Sequence, residues 1–170
     1  KASNKMHRLA LILLILLSAN GFGRNIIVGK NQAVSSIRKA IEMAKDFDSI
    51  TVLLGLYKEG ALQLTKSLTI IGQNYPILDG ENKYEILLIS GQNITVTGLA
   101  FRNSGYSALN DYASIKLVDA SKVTIAANKI TNAYFAIHVS NTSYATIKNN
   151  NITGTPTSEQ LTGNGIHLWK

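Results

Sequence analysis

Residues 115–133 and 137–155 carry one pattern twice. Ile115, Leu117, Val123, Ile125, Asn128 and Ile130 fall on Ile137, Val139, Ala145, Ile147, Asn150 and Ile152 at a fixed offset of 22 residues. A constant period in that range, with apolar residues alternating inside each copy, marks a solenoid of short strands. Backwards by 29, Ile86, Leu88, Ile94, Val96 and Phe101 take the places of Ile115, Leu117, Val123, Ile125 and Ile130; forwards by 29, Ile137 and Val139 map onto Ile166 and Leu168. The longer spacing is the same coil with seven residues inserted. The inserts have turn composition: one holds Gly105, Ser107, Asn110 and Asp111, the other Thr155 to Glu159 around Pro156.

Within a copy, Val123-Thr124-Ile125 and Ala145-Thr146-Ile147 put two apolar side chains on one face and a threonine on the other. Antiparallel hairpins also alternate, but their strands reverse direction and do not superpose equivalent residues at one period. A parallel β-helix does, each rung lying about 4.8 Å above the last. The expected class is therefore all-β, a right-handed parallel β-helix. Asn128 over Asn150 is expected to form an inward asparagine ladder at a bend. The first strands are expected at 50–54, 68–71 and 77–80. An amphipathic stretch at 34–45, with Ile37, Ala40, Ile41 and Ala44 on one face and Ser35 or Ser36 as N-cap, is expected to be a helix covering the open edge of the first coil.

Ahead of the coils, Lys1, Lys5, His7 and Arg8 precede an apolar run from Leu9 to Leu17 and then small residues. This is the layout of a secretory signal peptide, assigned to residues 1–23; the run is about half of the roughly 20 residues a membrane-spanning helix needs. Residues 24–170 are assigned to the N-terminal part of a β-helix domain, truncated at its C-terminus, since Lys170 falls within a rung and no cap follows. Removing Lys1, Lys5 and Arg8 leaves 14 basic against 10 acidic side chains. A charge of +4, scattered along the chain, does not indicate a nucleic-acid partner. With no cysteine, the stacked core must supply stability without disulfides.

Aligning the rungs aligns their outward faces. Lys116, His138 and His167 share one column. Two imidazoles one rung apart suit copper or zinc, but no cysteine stands with them; the column also reads as a partner-contact surface or as ordinary exposed residues. The acids do not cluster as a polysaccharide-cleaving site requires. Asp79 and Asp119 close strands, and Asp111 and Asp119 face one groove at most. The tyrosines read as scattered singly, with no ladder for stacking sugars, while Trp169 stands beside His167.

Gly163-Asn164-Gly165-Ile166-His167-Leu168-Trp169, behind a polar insert with Ser158 and Glu159, resembles a stretch of the NosD family, periplasmic accessory proteins of nitrous oxide reductase maturation. Ser67-Leu68-Thr69-Ile70-Ile71-Gly72, Ile77-Leu78-Asp79-Gly80 and Ile94-Thr95-Val96-Thr97-Gly98-Leu99 are similar as well, though these are generic to parallel β-helices. The resemblance implies a non-enzymatic periplasmic scaffold, peripheral to the membrane. It would work with an ABC-type transporter to deliver copper, or sulfur for the copper site, to the reductase. Copper would fall on His138 and His167, the only histidines beyond the leader, and partner contact on Asn164, His167 and Trp169. The rival reading is an extracellular polysaccharide lyase, hydrolase or epimerase on the same scaffold.

Overall fold

The computed structural model describes residues 23–107, 109–154 and 165–169. The leader expected at 1–23 therefore lies almost wholly outside the described residues, as do Asn164 and the insert that precedes it.

The chain coils through three parallel sheets in turn. The first holds six strands: β1 (Asn25–Val28), β2 (Ser49–Val52), β5 (Thr69–Gly72), β8 (Gln92–Thr97), β11 (Ser121–Ala126) and β14 (Thr146–Lys148). The second stacks β3 (Leu56–Tyr57), β6 (Ile77–Asp79), β9 (Ala100–Arg102), β12 (Lys129–Thr131) and β15 (Asn151–Thr153). The third stacks β4 (Leu62–Leu64), β7 (Leu87–Ile89), β10 (Ala113–Val118), β13 (Phe135–Ser140) and β16 (Ile166–Trp169). Every pairing is parallel, so the all-β solenoid expected from the repeat is present. The 22-residue register holds residue by residue: Ile115 lies on Ile137, Ile125 on Ile147 and Ile130 on Ile152.

The 29-residue register holds in the first two sheets and, in the third, between β13 and β16, where Ile137 pairs Ile166 and Val139 pairs Leu168; it slips only between β7 and β10. Ile94 pairs Val123 and Phe101 pairs Ile130, but Ile115 and Leu117 pair Leu87 and Ile89 rather than Ile86 and Leu88. The corner after β10 contains one residue more than the corner after β7, and Asp119 absorbs it in the left-handed region at φ 51°. All four residues of Ile86-Leu87-Leu88-Ile89 are apolar, so alternation could not choose between the two registers.

Inward side chains from all three sheets make one core, with Ile50, Leu64, Ile89, Ile94, Ile115, Ile125, Ile130 and Ile137 sealed from solvent. At the corner between the first and second sheets, Asn128 forms the expected ladder. Its Oδ1 accepts from Leu99 N–H at 3.0 Å, while its amide donates to Val96 C=O and Asn150 Oδ1, both at 3.1 Å. Asn150 in turn donates to Ile125 C=O at 2.9 Å. A second ladder, on the outside, runs from Asn132 to Asn103, with Asn103 donating to Asp79. Asn103 and Asn132 are left-handed, a conformation asparagine tolerates well. Two rungs pass close to each other at Gly72 and Gly98, where a methyl at Gly72 would sit 2.3 Å from Gly98 C=O.

The capping helix is shorter than expected: α1 spans Ile37–Met43, not 34–45. Val34 is bridged to Val28, and Ala44 is extended, so both ends are recruited by the coil. Ser36, not Ser35, is the N-cap, accepting from Lys39 N–H at 3.2 Å. Ile37, Ala40 and Ile41 are buried against the first coil. Two first-coil side chains hold the helix ends. Glu59 accepts from Ser36 Oγ, Ile37 N–H and Arg38 N–H, each at 2.8 Å, where a carboxylate meets the positive end of the helix. Lys66 Nζ donates to the carbonyls of Ile41, Glu42 and Ala44 at 2.7–2.9 Å.

Candidate functional site

Parallel stacking puts Lys116, His138 and His167 in one column on the outer face of the third sheet, as the alignment requires. The column is not uniformly open. His138 is 3% exposed, contrary to its expectation as a solvent-facing residue, with Phe135 and His167 of the next rung packed against its ring. Its Nδ1 stands 3.0 Å from Nδ1 of His167, one ring donating and the other accepting. Burial lowers the His138 pKa; Asp111 opposes the shift, and His167 and Lys116 add to it.

One rung inward, Lys116 Nζ lies 3.5 Å from Glu85 Oε2, an ion pair rather than a close hydrogen bond, with both side chains mostly shielded. Burial raises the Glu85 pKa against the opposing pull of Lys116. Nothing in the sequence flagged Glu85, because its carboxylate meets Lys116 only through the coil.

The aromatic residues correct the sequence reading most sharply. Two of the tyrosines expected to be scattered singly, Tyr106 and Tyr134, join a continuous row with Phe135, His167 and Trp169. Tyr106 meets Tyr134 edge-on with centroids 4.8 Å apart, and Tyr134 meets Phe135 at 4.5 Å. Phe135 stacks on His167 at 4.6 Å, and His167 lies 6.0 Å from Trp169. Trp169 is 65% exposed and Tyr106 50%. The row joins three successive rungs, so residues far apart in the sequence become lateral neighbours.

Asp111 and Asp119 do not come together as an acidic pair. They flank opposite ends of β10, Asp111 near His138 and Asp119 accepting from Asn141. Asp79 does close a turn, accepting from Glu81 N–H, but it is also buried, paired with Arg102 at 2.9 Å. As a metal centre the histidine pair is incomplete. Among the described residues no group of three His, Cys, Asp or Glu side chains is placed to hold an ion, and two imidazoles beside an ammonium do not fit a closed site.

A parallel solenoid with inward asparagines and an aromatic row along one outer edge defines the class of protein. The chain belongs to the right-handed β-helix family: residues 65–169 match the family described as Right handed beta helix region. No curated protein and no solved structure matches the chain.

Proposed function

We propose that this protein is a non-enzymatic docking scaffold whose working surface is the outer face of the third sheet around β16. The observation that carries this reading is the aromatic row ending at Trp169. Large side chains left exposed on a rigid sheet are what partner surfaces use as anchors. The resemblance of the segment ending in Ile166-His167-Leu168-Trp169 to NosD proteins supports a specific role. The scaffold, in the periplasm, brings an ABC-type transporter and nitrous oxide reductase together while the copper site is assembled. Copper, or a sulfur species, is the cargo of that process and not a group this chain must retain. Asn164 joins His167 and Trp169 in the contact surface on the strength of the same resemblance.

Replacing His167 and Trp169 by alanine together should impair assembly of the reductase copper cluster in cells while far-UV circular dichroism of the purified scaffold stays unchanged. A normal cluster in that double variant would remove the surface from the account.

One observation favours a second reading. A shielded acid with a raised pKa, ion-paired to Lys116 one rung from a buried histidine, is the sort of group that acid–base chemistry uses, which suits a polysaccharide lyase, hydrolase or epimerase. Glycan cleavage abolished by Glu85→Gln would support it.

A further inference from the structure

The outward side chains of the first sheet stack into two columns without a slip in register. One column reads Ser49, Thr69, Thr95, Thr124 and Thr146 from rung to rung, and the other Thr51, Ile71, Thr97, Ala126 and Lys148. We propose that this face binds ice, its hydroxyls and methyls taking the place of a layer of water at the crystal surface.

Composition is the first argument. From Ser49 to Ala126 the two columns hold no charged and no aromatic side chain, and Lys148 stands alone at the last rung. A charged partner has nothing to pair with there, and a sugar has no ring to stack on. Every rung from Thr69 to Thr146 instead offers a hydroxyl beside a methyl. The hydroxyls are also available. Ser49 and Thr51 donate to Asn25 Oδ1 at 3.2 and 3.0 Å. Among the described residues, those of Thr69, Thr95, Thr97, Thr124 and Thr146 make no hydrogen bond within the chain.

Geometry is the second argument. Rungs lie about 4.8 Å apart, and alternate residues of one strand about 6.8 Å apart, so the columns form a rectangular net. Oxygen atoms on the prism faces of hexagonal ice recur at intervals close to both. A crystal cannot adapt to its receptor, so the receptor must be periodic and rigid. Threonine is stiff at χ1, and the strands carrying it are tied to neighbours by backbone ladders. Little ordering entropy is therefore lost on binding. The net measures about 19 Å by about 7 Å. A stable protein interface needs roughly 800 Å² per partner, so the face is too small for a second copy of the chain.

Inhibition of ice recrystallisation reads the property directly. In a frozen sucrose solution annealed just below melting, the purified protein should keep ice grains small where serum albumin at equal concentration lets them coarsen. Thr95→Lys and Thr124→Tyr, which set a charge and a ring in mid-column, should each abolish the effect with far-UV circular dichroism unchanged. Ala126→Thr combined with Lys148→Thr, which continues the second column, should lower the concentration needed. Coarsening with the wild-type protein, full activity in both mid-column variants, or no gain from the added threonines overturns the proposal. So does a dimer in sedimentation velocity, or retention on crystalline cellulose, that Thr95→Lys removes, since the face then belongs to a second copy or to a polysaccharide. These readings concern a different sheet from the one that the cluster-assembly experiment tests.

Discussion

Asn128 is the residue whose loss should be felt most for the fewest atoms removed. It is 1% exposed, and its side chain satisfies the N–H of Leu99 and the C=O of Val96, both inside the core. In Asn128→Ala neither backbone group has a replacement partner, and the site is too deep for bulk water. Leaving a buried polar group unpaired costs about 1–3 kcal/mol, so two such groups together cost about 4 kcal/mol. For a domain of this size each kcal/mol lowers Tm by about 2–4 °C, giving a drop of roughly 8–16 °C. Asn150→Ala is the internal comparison. Asn150 itself is half-buried, so truncating it opens a path by which water can reach the groups it serves, Ile125 C=O and Asn128 N–H. Its loss should cost about 1–2 kcal/mol. Thermal and urea unfolding by circular dichroism would rank the two variants, and amide exchange at Leu99 would localise the damage. Equal losses for the two variants, or an unchanged exchange rate at Leu99 in Asn128→Ala, would refute the assignment of the ladder as a satisfier of buried backbone.

Two further outcomes follow from side chains that hold the ends together. Glu59→Gln and Lys66→Met should each loosen α1, costing about 1–2 kcal/mol, with faster amide exchange in residues 37–43 and little change in the β-sheet signal; unchanged exchange there would show that burial alone retains the helix. Acid should destabilise the protein through Asp48 and Asp79. For Asp48, the backbone N–H of Lys45 and then the Arg24 guanidinium lower the pKa. For Asp79, burial pushes upward, but bonds from Glu81, Asn103 and Arg102 win and the net shift is downward. A lowered folded-state pKa gives stability that is present above the ordinary carboxylate value, near 3.9, and is lost as pH falls through the folded value. Unfolding should thus begin below about pH 4, and Asp48→Asn with Asp79→Asn should flatten the acid limb. An unaltered limb in the double variant would assign the acid sensitivity to other groups.

What could be read in advance depended on period. Val123, Ile125 and Asn128 recur with constant spacing, so their strands, direction and ladder were legible. The segments β1, β3 and β4 were not, because they have two to four residues and precede the recognisable repeats. The one-residue slip at β7 was hidden by a run with no polar residue to mark its outer face. At the site, the column of Lys116, His138 and His167 came directly from the alignment. The burial of His138 did not, since it depends on how Phe135 and the next rung close over the ring. The aromatic row escaped for a related reason. Tyr106 stands on an inserted loop, Tyr134 and Phe135 at the start of β13, and Trp169 in β16. No periodicity joins them; only lateral packing does.

The clasp on α1 has a consequence for the order of events during synthesis. The helix is reached early, yet the carboxylate and ammonium that secure its two ends arrive 16 or more residues after it, at Glu59 and Lys66. Seven residues of isolated helix do not persist in water. The lid therefore cannot close until the first coil has left the ribosome. From then on it offers a finished floor, and each later rung can be laid down as it emerges.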